Sequence, residues 1–152
     1  MRLKELMTKK IWFDNIDVSF KGQIAEKKRI SKFCRSTIHY FMPRLRREVE
    51  IQISFTKSIP DALGYCLGDK NFIDIEISKT NPMTGKPQSM SQMMMTLAHE
   101  LVHAKQFLRG DLTPSLVNYK GKKYKFTPYS RQPWEREAYK KEEMIYDLFW
   151  SK

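Results

Sequence analysis

The sequence contains little cysteine, the residue whose disulfides cross-link small extracellular domains. Only two cysteines occur, Cys34 and Cys66, too far apart for a CxxC motif. This excludes a disulfide framework and a zinc ribbon, and it favours reduced, buried thiols. No apolar run approaches the roughly 20 residues needed to cross a bilayer. The N-terminus, MRLKELMTKKIWF, carries charges where a signal peptide needs an apolar segment. These absences predict a cytoplasmic protein without membrane contact.

Acidic residues are also scarce relative to basic ones. Lys and Arg number 28 against 17 Asp and Glu, which gives a net charge of +11 and a pI near 9.7. A field of this sign attracts polyanions, so non-specific nucleic acid is a candidate partner, although a basic surface also simply aids solubility. No helix-turn-helix or zinc-finger spacing predicts sequence-specific reading of DNA. The clustered basic residues are Lys27, Lys28, Arg29, Lys32, Arg35, Arg44, Arg46, Arg47, Lys120, Lys122, Lys123 and Lys125.

Hydrophobic periodicity predicts one α+β domain over residues 1–152, with helices packed on one face of a small sheet. The chain is about one domain long, and 41% of its residues are hydrophobic. A capping box formed by Ser89 and Gln92 predicts the start of the second helix. The predicted elements are a helix over 22–40, strands over 49–55, 64–67 and 72–78, a helix from Ser89 to about Leu108, and a last helix from Pro133.

The segment TLAHELVHAKQF, residues 96–107, contains an HExxH motif. On a helix, His99 and His103 are one turn apart, so their imidazoles project together and can bind one metal ion. Glu100 lies at the edge of the same face, where it can reach a water molecule as a general base. The alternative is a solvated helix with incidental histidines. The apolar stripe lies on the opposite side of the helix and contains Met90, Met94, Leu97, Leu101, Ala104 and Leu108.

A catalytic zinc ion normally takes three ligands from the protein. No histidine follows His103, and His39 precedes the strands, so a downstream carboxylate is the expected third ligand. Glu135 and Glu137 flank the apolar stripe of the last helix on opposite sides, each about 80° from its centre, so helix geometry does not choose between them. The candidate carboxylates are Glu135, Glu137, Glu142 and Glu143.

HELVH followed by PWEREA resembles the gluzincin class of zinc metallopeptidases, and the order LAHELVHAKQFLRGDL, YKGKKY, PWEREAY is similar to small zincin-like proteins encoded by bacteriophages. The resemblance spans about residues 49–146. It implies a zincin-like fold with HExxH on the central helix and a Zn²⁺ cofactor. It also implies His99 and His103 as ligands, Glu137, which precedes Ala138, as third ligand, and Glu100 as base.

Two features depart from related patterns. Many gluzincins support a zinc-bound histidine with an acid one turn beyond the third ligand, but Lys141 stands there, which leaves Asp74, Glu135 or Glu142 as substitutes. SprT-like proteases are similar in size and charge, but they carry a third histidine and often a zinc ribbon that this sequence lacks.

These observations predict a zinc-dependent endopeptidase acting on peptide or protein substrates, in a cytoplasm that could be that of a phage-infected bacterium. Glu100 would take a proton from water and pass it to the leaving amine. Among the tyrosines that could stabilise the oxyanion, Tyr119, Tyr124, Tyr129 and Tyr139, we predict Tyr129. The strand over 72–78 could pair with an extended peptide if it lies at the sheet edge. The alternatives are a basic nucleic-acid-associated module and a virion or assembly protein, each using a zincin scaffold without proteolysis.

Overall fold

The computed structural model describes residues 15–151 and shows an α+β fold around a four-stranded mixed sheet. The sheet order is β1-β2-β4-β3, with β1 parallel to β2, β2 parallel to β4, and β3 antiparallel to β4. One edge of the sheet is therefore β3. The strands are β1 (Ile16–Lys21), β2 (Val49–Thr56), β3 (Gly64–Gly68) and β4 (Phe72–Ser78).

The structure has three helices, and the second of them has the bounds that its capping residues predict. The second helix starts where Ser89 Oγ accepts from the Gln92 N–H at 3.1 Å and Gln92 Oε1 accepts from the Ser89 N–H at 2.9 Å. It ends before Gly110, whose φ of +76° suits glycine. The helices are α1 (Lys27–Phe41), α2 (Met90–Leu108) and α3 (Pro133–Phe149), with a short hairpin, β5 (Asn118–Tyr119) and β6 (Lys122–Lys123), and a 3₁₀ turn (Tyr129–Arg131) between α2 and α3.

The core lies between one face of the sheet and the helices. Alternate strand residues such as Ile51, Ile53 and Ile75 are fully buried against α1 and α2, while their neighbours point to the opposite, polar face. The helix α2 is buried from Leu97 to Leu108 on all sides, because the sheet covers its apolar stripe and α3 covers much of its polar stripe. The HExxH motif thus lies on a helix that is buried between the sheet and α3.

The structure departs from the predicted elements at β1 and at the start of α1. The strand β1 was not predicted, and α1 begins at Lys27 rather than near Gly22, which has a φ of +87° just after β1. The strand over 72–78 lies inside the sheet, so β4 does not meet the edge condition that peptide pairing needs, whereas β3 does.

Within residues 15–151, no helix is both long and apolar enough to cross a membrane. The N-terminal segment on which the signal-peptide prediction rests lies outside the described residues.

Candidate metal centre

The helices α2 and α3 bring two imidazoles and one carboxylate to a single point. Glu135 Oε1 lies 3.0 Å from His99 Nε2 and 3.0 Å from His103 Nε2. The three ligand atoms lie within 4.8 Å of one another, and both histidines are buried. Ligand atoms about 2.0–2.2 Å from a tetrahedral zinc ion are roughly 3.3–3.5 Å apart. The two separations from Glu135 are close to that spacing, and the two histidine nitrogens lie within 4.8 Å of each other, so the donor set fits a zinc ion.

The other nitrogen of each imidazole faces a second polar side chain. His99 Nδ1 lies 3.3 Å from Glu142 Oε1, and the Tyr139 ring meets the His99 ring edge to face at 4.5 Å between centroids. His103 Nδ1 lies 2.8 Å from Gln106 Oε1. Both rings are therefore held in orientation by contacts outside the cluster.

The electrostatics of the cluster favour a cation where the three groups meet. Burial alone would raise the pKa of Glu135, but hydrogen bonding to His103 and His99 lowers it to about 2. Burial alone would lower the pKa of His99, but Glu135 and Glu142 raise it to about 10. The carboxylate thus stays ionised, and its charge stabilises positive charge between the two rings.

Glu100 lines the cleft beside the two histidines and is 5% exposed. Burial raises its pKa to about 7, against the attraction of both imidazoles. Among residues 15–151, no side chain or backbone group forms a hydrogen bond with the Glu100 carboxylate. The group is therefore available to a molecule in the cleft.

Glu137 lies on the opposite flank of α3, away from the two histidines. Its Oε2 accepts from Lys105 Nζ at 2.8 Å and Lys141 Nζ at 2.6 Å, and its Oε1 accepts from Gln106 Nε2 at 2.8 Å and the Tyr119 hydroxyl at 3.2 Å. Burial opposes ionisation, but these donors lower the pKa of Glu137 to about 2. The third-ligand position implied by the resemblance is thus corrected: the structure brings Glu135, not Glu137, to the histidines.

The candidate tyrosines are distributed around the cluster. The Tyr129 hydroxyl donates to Glu135 Oε1 at 3.0 Å and lies 3.1 Å from the Tyr139 hydroxyl. Tyr119 contacts Glu137, and Tyr124 packs edge to face on Trp134. The residue predicted from the sequence, Tyr129, is thus next to the metal-ligand candidates, in the 3₁₀ turn that precedes α3.

The cluster opens into a cleft of about 1130 Å³. One wall is β3 with the preceding loop, the floor is α2, and the other wall is α3 with the loop before it. Apolar side chains from both walls, including Leu63, Leu67 and Leu116, line the space. The cleft is large enough for several residues of an extended peptide.

Sequence reasoning assigned no role to Gln106 and left Glu142 as one of three supporting acids. Glu142 follows Glu135 by two helical turns, a spacing that puts both carboxylates on the α3 face that meets α2. Gln106 follows His103 by three positions on the same helix face. The spacing can be read from the sequence. The role of Gln106 also depends on its contacts with Glu137 and Trp134, and these two residues reach Gln106 only because α3 packs against α2.

Comparisons with known proteins give little beyond this geometry. No family model matches the chain, and no curated protein matches it. Among solved structures, a crystal structure of a Wss1 mutant from Saccharomyces cerevisiae overlaps 91% of this chain and 92% of that chain, with a TM-score of 0.43 and 14% sequence identity. An overlap at this level is too low to establish a shared fold. The similarity to phage-encoded proteins and the cytoplasmic location stay predictions.

Proposed function

We propose that this protein is a zinc-dependent endopeptidase with a zincin-like fold, in which residues 1–152 form one metallopeptidase domain. The observation that carries the proposal is the convergence of His99, His103 and Glu135 beside a peptide-sized cleft. Two histidines and one glutamate are a ligand set of catalytic zinc sites, which leave one coordination position open for the reaction.

The arrangement of Glu100 supports catalysis rather than a structural metal site. A structural zinc site fills all four positions with protein ligands and has no use for a buried, unpartnered carboxylate one residue from a ligand. Bound zinc supplies Lewis acidity, which polarises a peptide carbonyl and activates water near neutral pH. Glu100 accepts a proton from the attacking water and returns it to the amine as the peptide C–N bond breaks.

Tyr129 is the proposed donor to the oxyanion. Its hydroxyl is next to Glu135 and belongs to a short turn at the rim of the cleft. A rotation that releases Glu135 would direct the same hydroxyl to the carbonyl oxygen of a bound peptide.

The outer edge of β3, with which no strand pairs among residues 15–151, supports a peptide as the substrate. Ser78 N–H donates to Leu63 O and Asp69 N–H donates to Phe72 O, so the odd-numbered residues of β3 bond to β4. The backbone groups of Gly64, Cys66 and Gly68 therefore point away from β4, along the wall of the cleft. An extended peptide can bond to these groups as an added strand.

Metal analysis and a proteolysis assay test the proposal together. Zinc-loaded wild type should contain about one zinc per chain by elemental analysis and should cleave an unfolded protein such as casein. His99→Ala and Glu135→Ala should lose both zinc and cleavage, whereas Glu100→Gln should keep zinc and lose cleavage. An Ala variant at the exposed Glu143 is the matched control and should keep both. Wild type that takes up no zinc, or cleavage that survives in Glu100→Gln, would refute the proposal.

A further inference from the structure

We infer that Gln106 is a positioning residue, which holds a hydrogen on His103 Nδ1 and so leaves Nε2, the nitrogen that faces Glu135, as the atom that can bind a metal ion. The importance of that nitrogen rests on the metal site proposed above. The inference itself concerns the metal-free chain, because it follows from the hydrogen bonds around a side chain with no exposed surface.

The orientation of the Gln106 amide is determined by its two acceptors. Gln106 Nε2 lies 2.9 Å from the Trp134 carbonyl oxygen and 2.8 Å from Glu137 Oε1. Both partners only accept, and an amide nitrogen has two hydrogens, so both hydrogens are used there. A flipped amide would instead place its oxygen against these two oxygens, in contacts without a hydrogen.

The amide oxygen is therefore the atom that faces His103. Gln106 Oε1 lies 2.8 Å from His103 Nδ1, and an amide oxygen accepts hydrogen bonds but cannot donate them. The ring nitrogen must supply the hydrogen. With a hydrogen held on Nδ1, the hydrogen that a metal ion would displace is the one on Nε2, the atom that lies 3.0 Å from Glu135 Oε1.

Glu137 holds this arrangement from the far side. Lys105 and Lys141 donate to its Oε2, while Tyr119 and Gln106 donate to its Oε1. With two ammonium groups beside it, the carboxylate stays an acceptor for the Gln106 amide. Glu137 is thus connected to His103 through Gln106, although it contacts neither histidine.

His99 provides an internal comparison. Its Nδ1 faces Glu142 Oε1 at the longer distance of 3.3 Å, and the Glu142 side chain is 20% exposed. Water can replace an exposed partner more readily than a buried one. Loss of Glu142 should therefore disturb the metal site less than loss of Gln106.

The test observes the His103 Nδ1–H directly. In metal-free protein with ¹⁵N-labelled histidine, His103 should give an Nδ1-bound proton signal that exchanges slowly with water, assigned by comparison with His103→Asn. Gln106→Leu should lose this slow exchange, and its zinc affinity, measured by competition with a chelator, should fall about 10- to 100-fold. Glu142→Gln should lower zinc affinity by a smaller factor.

A further variant separates positioning from stability. Thr37→Val removes a buried hydrogen bond in α1, from Thr37 Oγ1 to the Phe33 carbonyl, and should leave the His103 signal unchanged.

The possible results distinguish this inference from the proposed function. Absence of a protected Nδ1–H from His103 in wild type would overturn the inference, as would an unchanged signal and zinc affinity in Gln106→Leu. A protected signal in a wild-type protein that binds no zinc would leave the role of Gln106 standing and refute the metal site instead.

Discussion

Glu135 and Glu137 are two positions apart on α3 and stabilise positive charge at two different places. Side chains at this spacing leave a helix about 200° apart, so the two carboxylates reach opposite flanks of α2. Glu135 meets the two imidazoles, whereas Glu137 meets the ammonium groups of Lys105 and Lys141. The side chain of Lys105 is only 6% exposed, so Glu137 compensates a buried charge.

Removal of Glu137 should destabilise the fold. In Glu137→Ala, the Lys105 ammonium stays buried without its carboxylate, which costs about 3 kcal/mol of unfolding free energy. Urea denaturation monitored by circular dichroism measures this change. Glu143→Ala removes an exposed glutamate from the same helix and should shift stability by less than about 0.5 kcal/mol. Equal stabilities of the two variants would contradict a stabilising role for the Lys105–Glu137 pair.

The sequence predicts the relative positions of candidate site residues only where those residues share one helix. His99, Glu100 and His103 share α2, so their relative positions follow from helix geometry alone. The choice between Glu135 and Glu137 depends on which flank of α3 faces the histidines, a property of the contact between two helices separated by a long loop. The resemblance therefore pointed to the glutamate that the packing places on the other flank.

The elements with strong local signals were predicted from the sequence. The alternation in β2 and β4 and the capping box of α2 are each contained in a few consecutive residues, and their predicted bounds lie within one residue of the observed ones. The strand β1 is different because it pairs with β2, more than 25 residues later, and two of its inward residues, Val18 and Phe20, are only partly buried. Its strand identity depends mainly on that distant partner.

The β3 edge leads to a prediction at the scale of a single strand. If a substrate pairs with β3, only every second peptide N–H of the substrate faces the strand, because hydrogen-bonding groups alternate along an extended chain. A series of substrates with one N-methyl group each, moved residue by residue around the cleaved bond, should therefore show reduced cleavage at alternating positions. The rate for each peptide, relative to its unmethylated parent, is measured by mass spectrometry.

Matched peptides with an N-methyl group far from the cleaved bond are the control and should be cleaved at the parent rate. Losses at consecutive positions on both sides of the cleaved bond would argue against strand addition. They would instead indicate a substrate that is enclosed on all sides.

Several of the positively charged side chains in the molecule hold parts of the fold together. Arg29 stacks on the Trp150 ring at 3.7 Å and donates to its carbonyl oxygen at 2.6 Å, which joins α1 to the end of α3. Arg35 donates to the Ile16 carbonyl oxygen at 3.0 Å, and Arg47 donates to the carbonyl oxygens of Lys70 and Leu108. These arginines connect segments that are distant in the sequence. The net charge of +11 therefore overstates the number of basic side chains that are available to bind a polyanion.

The lysines around the β5–β6 hairpin are different because all four are exposed. Of the aromatic rings beside them, Tyr119 is buried and Tyr124 is half-buried, whereas Phe126 is largely exposed. Four exposed charges next to one exposed ring suit a flexible single strand. The four are Lys120, Lys122, Lys123 and Lys125.

We predict that the protein binds a labelled oligo(dT) through this hairpin, so that replacement of these four lysines by Gln weakens the binding and flattens its salt dependence. Each phosphate contact that is lost reduces the slope of log K against log[salt] by roughly 0.7, since fewer counterions are released. Fluorescence anisotropy at several salt concentrations gives both quantities. A control that changes Lys21, Lys57, Lys86 and Lys140 to Gln has the same net charge but leaves the hairpin intact, and it should keep most of the affinity. Equal losses in both variants would mean that total charge, not the hairpin, attracts nucleic acid.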